Sequence, residues 1–87
     1  MMFDAYVLIV VSPGSEKRIS KLLSRMKGVV EVDELYGEYD IIIKVRKDSL
    51  PELDTFLTDQ IRSVSDVKLT STMLISFAHK KSKAAKD

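Results

Sequence analysis

The apolar residues of this chain fall into six segments, and the order of their spacings leaves few folds open. Residues 5–11, Ala-Tyr-Val-Leu-Ile-Val-Val, are apolar and rich in β-branched side chains, which predicts a buried strand. Pro13-Gly14 breaks it, and Ile19, Leu22, Leu23 and Met26 then follow at helical spacing, with Lys17, Arg18, Lys21 and Arg25 on the outer side. Gly28 is the predicted stop. Alternation returns over Val29–Tyr36, with Val30 and Val32 on one face and Glu31 and Asp33 on the other. A short turn at Gly37-Glu38 leads into a further strand, Tyr39–Lys47, so the two strands must form an antiparallel hairpin. Ser49-Leu50-Pro51-Glu52 has the spacing of a capping box, and Leu50, Leu53, Leu57, Ile61 and Val64 form the apolar stripe of a second helix. Alternation resumes over Val67–Ala78, placing Val67, Leu69, Met73, Ile75 and Phe77 on one face.

The resulting order, β-α-β-β-α-β, is the split βαβ arrangement of an α+β, ferredoxin-like fold. It predicts a four-stranded antiparallel sheet with both helices on one face. The chain of 87 residues fits one domain, expected over residues 1–78 and followed by a basic tail at 79–87.

Composition removes several function classes. There is no cysteine, so disulfides, zinc–thiolate sites and thiol nucleophiles are excluded. His79 is the single histidine, too little for a triad or a histidine metal site, and no cofactor is expected. The run Ala5–Val11 is far shorter than the ~20 residues that span a bilayer, and the start of the chain does not resemble a signal peptide. A cytoplasmic protein without membrane contact is expected. The tail carries Lys80, Lys81, Lys83 and Lys86 against Asp87, a sum of +3; the total of +1 leaves −2 for residues 1–78. Such a body is a poor nucleic-acid surface, and no direct nucleic-acid binding is expected.

Helices cover one face of this sheet type, and the other face of a monomer should be polar. Strand one is apolar on both faces: Tyr6, Leu8 and Val10 on one, Val7, Ile9 and Val11 on the other. Ile41, Ile42 and Ile43 repeat the pattern. A second copy packed face to face is the simplest cover, which predicts a homodimer through the helix-free face.

At this point the residues resemble a family. The hairpin Leu35-Tyr36-Gly37-Glu38-Tyr39-Asp40-Ile41-Ile42-Ile43-Lys44-Val45 resembles the Gly-x-Tyr-Asp hairpin of the Lrp/AsnC transcription regulators, within their C-terminal ligand-binding (RAM) domain. Ala5-Tyr6-Val7-Leu8-Ile9, the Pro13-Gly14 turn, Val29-Val30-Glu31-Val32 and the Thr-x-Thr element Thr70-Ser71-Thr72 agree with it over residues 4 to about 77. Ser65-Asp66 departs from it at a turn where the family usually has glycine. Full-length members carry a helix-turn-helix ahead of strand one; this chain resembles the stand-alone form. The resemblance implies dimers that assemble further, amino-acid ligands at contacts between dimers, and joint action with full-length regulators of the family.

An amino acid needs anion donors, a cation acceptor and a pocket. Gly37 permits a turn with exposed N–H groups that suit a carboxylate, and Asp40 suits the ammonium. With Glu38, Tyr39, Thr70 and Thr72 these are the candidate ligand residues, the threonines coming from a neighbouring subunit. Plainer roles stand beside these: Gly37 as a tight turn, Asp40 as a cap or a lysine partner, Tyr36 and Tyr39 as interface packing, Glu38 as a solvated tip, and the threonines as good strand formers. Two other function classes compete: a ligand-free interaction module, and a small dimeric α/β-barrel enzyme. For the enzyme the strands supply Asp40 and Thr72 but no histidine.

Overall fold

A computed structural model describes residues 2–82. Its elements are β1 (Phe3–Val11), α1 (Glu16–Ser24), β2 (Val29–Glu34), β3 (Ile41–Lys47), α2 (Leu50–Thr55) continued by a π-helical segment (Phe56–Ile61), and β4 (Val67–Leu74). The sheet order is β2-β3-β1-β4 with every pairing antiparallel, so the ferredoxin-like expectation holds. The tail expected at 79–87 lies partly outside the described residues; 79–82 carry no regular structure.

Alternation along β1 and β3 decides the core. Ala5, Val7, Ile9 and Val11 point to the helices, as do Ile41, Ile43 and Val45, and all are buried. Ile19 and Leu23 from α1 close over them, with Leu53, Phe56 and Ile61 from the second helix. The helix-free face carries Tyr6, Leu8, Val10 and Ile42, all half-buried.

Two register shifts change which side chains reach the core. Between β2 and β3 the pairing moves from Val29↔Val45 to Glu31↔Lys44, leaving Val30 unpaired. Val29 therefore packs inward with Val32, while Val30 is exposed, contrary to strict alternation. Between β1 and β4, Val10 pairs with Leu69 and Val11 with Val67, so Lys68 is the extra residue. Val67 turns to the core and Leu69 to the opposite face, where the sequence pattern put both together. Such bulges flip a side chain without breaking the strand.

The second helix also departs from a simple stripe. Ser49 caps it as expected, its Oγ accepting from the N–H of Glu52 at 3.2 Å. After Thr55 the helix widens, and the N–H of Arg62 donates to Leu57 O at 3.1 Å, five residues back. The wider turn keeps Ile61 on the buried side with Phe56, a core residue outside the expected stripe, while Leu50 at the helix start is exposed. The ammonium of Lys47 lies 4.5 Å from the Phe56 ring centroid.

Gly28 and Asp66 hold the corners. Gly28 has φ +93°, and a Cβ there would meet Arg46 O at 2.9 Å, so both conformation and space demand glycine. Asp66 has φ 76°, the left-handed conformation that favours glycine and that Asp tolerates better than most residues. Its carbonyl accepts from Ser12 N at 2.9 Å and its carboxylate pairs with Arg18 at 2.5 Å, joining the last turn to β1 and α1.

Candidate functional site

The hairpin between β2 and β3 is longer than a two-residue turn, running from Leu35 to Asp40. Gly37 adopts φ +139°, and a Cβ there would meet nothing within 4 Å, so backbone conformation alone selects glycine. Asp40 anchors the loop to the end of β1. Its N–H donates to Ile9 O at 2.9 Å, its carbonyl accepts from Leu35 N at 2.8 Å, and its Oδ2 accepts from Val11 N at 2.9 Å. The plain capping role and the ligand role therefore meet in one side chain. One carboxylate oxygen holds the backbone; the other has no hydrogen-bond partner among the described residues.

A cleft of about 410 Å³ opens beside this loop, lined by Glu16, Glu34, Leu35, Tyr36, Gly37 and Asp40. Three carboxylates and no cation line it, so it favours an ammonium group. Among the described residues no cluster of acids and histidines is arranged to hold a metal ion. Glu16 and Glu34 are not apparent from sequence spacing because they lie 18 positions apart; α1 brings Glu16 to the hairpin only in the folded chain. Tyr36 is fully exposed, with a relative exposure of 108%.

The predicted residues do not all converge. Gly37 and Asp40 line the cleft, whereas Glu38 and Tyr39 are not part of its wall. Thr70 pairs with Ile9 on the other side of β1 and lines a separate cleft with Arg62, Val67, Lys68 and Leu69. Thr72 pairs with Val7 and lines neither.

The helix-free face is the other candidate surface. On it Leu69 and Met73 are 57% and 50% exposed beside Tyr6, Leu8, Val10 and Ile42. Glu31, Asp33, Lys44 and Arg46 lie on the β2–β3 side of the same face. The Arg46 guanidinium holds Asp4 through two bonds of 2.8 and 2.9 Å and lowers the Asp4 carboxyl below its ordinary 3.8.

The sequence profile of the Lrp/AsnC ligand binding domain matches residues 4–85. This chain belongs to that family. The transcriptional regulator FL11 of Pyrococcus furiosus is 36% identical over 76 residues, covering 87% of this chain and 50% of that regulator. The chain thus spans about half the length of the curated regulators it matches. Among solved structures, FFRP-DM1 is 40% identical with a TM-score of 0.82, covering 84% of this chain and 97% of that one. PHS023 from Pyrococcus horikoshii is 39% identical with the same TM-score of 0.82, covering 91% and 94%. None of the described helices is long and apolar enough to cross a membrane.

Proposed function

We propose that this domain is an amino-acid-sensing module of the cytoplasm that works through assembly, modulating regulators of its own family without touching DNA or catalysing a reaction. The observation that carries this reading is the half-buried Asp40 carboxylate: one oxygen is fixed by Val11 N–H, and the other is free at the wall of an acidic cleft beside the Gly37 turn. The preorganised carboxylate receives the ligand's ammonium, and the exposed turn amides receive its carboxylate. Two or three such contacts support millimolar to micromolar binding, since 1 mM corresponds to about −4.1 kcal/mol. Thr70 and Thr72 contribute from a neighbouring subunit, with Glu38 and Tyr39 at the edge of the loop.

A thermal-unfolding screen against the twenty amino acids tests this. A ligand at ten times its Kd adds about 1.4 kcal/mol, a shift of a few degrees for a domain of this size. Asp40→Asn is the informative variant, because it keeps an oxygen for Val11 N–H while removing the charge. The expected result is a shift for one or a few amino acids that disappears in Asp40→Asn. Absence of any shift in the wild type would sink the sensor reading and leave an assembly module.

The same reading includes a homodimer through the helix-free face, supported by the exposed Leu69 and Met73 beside β1. Residues 1–78 form the effector module in this view, and 79–87 are an accessory tail. Sedimentation at micromolar concentration showing only monomer would remove the dimer.

A further inference from the structure

The tip of the hairpin and the far end of the sheet carry complementary chemistry. Tyr36 stands out of the tip with its whole side chain in solvent, and Leu35 beside it is also exposed. Asp33 and Glu34 precede this apolar pair and Glu38 follows it, all three exposed. None of the three makes an ion pair among the described residues. The tip is thus an aromatic knob in an acidic collar. A fully solvated tyrosine of this kind is unfavourable in water and well suited to anchor an interface.

A cleft of about 630 Å³ lies at the opposite end of the sheet, where β1 and β2 begin and β3 ends. Met2 and Val30 put exposed apolar surface on its wall, and Gly28 adds a stretch without a side chain. Val30 is there because the β2–β3 register shift leaves it unpaired. Around this apolar patch stand Lys27, Arg46 and Lys47 against Asp48 and Glu52, three cations to two carboxylates. Arg46 is held by Asp4, and the Lys47 ammonium donates to Lys27 O at 2.9 Å. The Lys27 ammonium makes no ion pair among the described residues.

β1 runs from one site to the other: Phe3 pairs with Lys47 beside the cleft, and Val11 N–H bonds Asp40 at the hairpin. At about 3.3 Å per residue the two lie roughly 30 Å apart, so no chain can seat its own knob. A second copy can. We propose that the Tyr36 hairpin of one copy docks into the Met2–Val30 cleft of the next, a head-to-tail contact. The Tyr36 ring covers Met2 and Val30 beside the Lys27 ammonium, and Glu34 and Glu38 meet the basic rim. Each copy keeps one knob and one cleft, so the contact repeats into rings or rods, unlike the self-complementary pairing of helix-free faces. It rests on the reading that the domain works through assembly, and adds the surface by which one dimer joins the next.

Sedimentation velocity of the full chain, from micromolar to millimolar concentration and without added amino acids, tests the contact. Species larger than a dimer should appear in the wild type as concentration rises. Tyr36→Ala and Val30→Glu should each raise the concentration of half-assembly roughly tenfold or more while leaving the dimer intact. Lys27→Glu, which tips the rim to acidic, should act in the same direction. All three positions are exposed, so melting temperatures at low concentration should match the wild type. The decisive arm is an equimolar mixture of Tyr36→Ala, which keeps its cleft, and Val30→Glu, which keeps its knob. The mixture should regain the larger species that neither variant forms alone. Variants that assemble like the wild type, or a mixture that regains nothing, would overturn the docking. A wild type that stops at the dimer would also overturn it, yet leave the helix-free pairing standing, and the Asp40→Asn screen reads ligand sensing separately.

Discussion

The two faces of the sheet are made by the same strands under the same alternation, yet they differ in how far the chain completes them. Toward the helices, Val7, Ile9, Ile41 and Ile43 are fully buried by side chains of α1 and the second helix. Toward the other side, Tyr6, Leu8, Val10 and Ile42 are only half-covered, and Leu69 and Met73 stand open. The first face is finished by short-range topology. The second contains a comparable set of apolar residues for which the described residues supply no layer. Similar residues therefore do different work: on one face they hold the monomer together, and on the other they are available for association.

Breaking each face in turn should expose that difference. Ile43→Ala removes a fully buried side chain from the helix side and should cost about 2–5 kcal/mol in chemical denaturation, at all protein concentrations. Leu8→Ala removes a side chain of similar size from the other face. It should cost about 1.5–3 kcal/mol in dimerisation, read as a raised dissociation constant in sedimentation and as a concentration-dependent melting temperature. If Leu8→Ala destabilised the chain as Ile43→Ala does while leaving association unchanged, the two faces would not differ as argued.

Smaller effects sharpen the comparison. Gly28→Ala forces a Cβ against Arg46 O and a positive φ on alanine, and should cost about 1–3 kcal/mol of unfolding free energy. The Asp4–Arg46 pair on the helix-free side gives a pH signature. The folded Asp4 carboxyl titrates below 3.8, so its contribution is present above that value and fades as pH falls through the depressed folded value. Melting temperatures of wild type and Arg46→Gln should differ slightly at neutral pH and converge under strong acid; a gap that widened in acid would refute this assignment. Smallest of all, Ser20 on α1 buries a hydroxyl oxygen without a partner among the described residues, and Ser20→Ala should stabilise by up to about 1 kcal/mol.

Element order and the inward side of β1 and β3 were readable from the sequence because strand and helix periods are local properties, set by which face of each element must leave water. The hairpin was readable for the same reason: Gly37 needs a backbone that few other residues adopt, and Asp40 stands at the strand's entrance. What local pattern could not supply was register and convergence. Val29 rather than Val30, and Val67 apart from Leu69, follow from bulges that exist only when two strands pair. Phe56 and Ile61, five positions apart, share the buried side through a π-helical widening that sequence spacing does not encode. Glu16 met Glu34 and Asp40 only because α1 carries a residue 18 positions before Glu34 to the hairpin. The charge of each cleft is thus a tertiary property: the chain specifies the side chains, but their neighbours are chosen by the packing that buries β1.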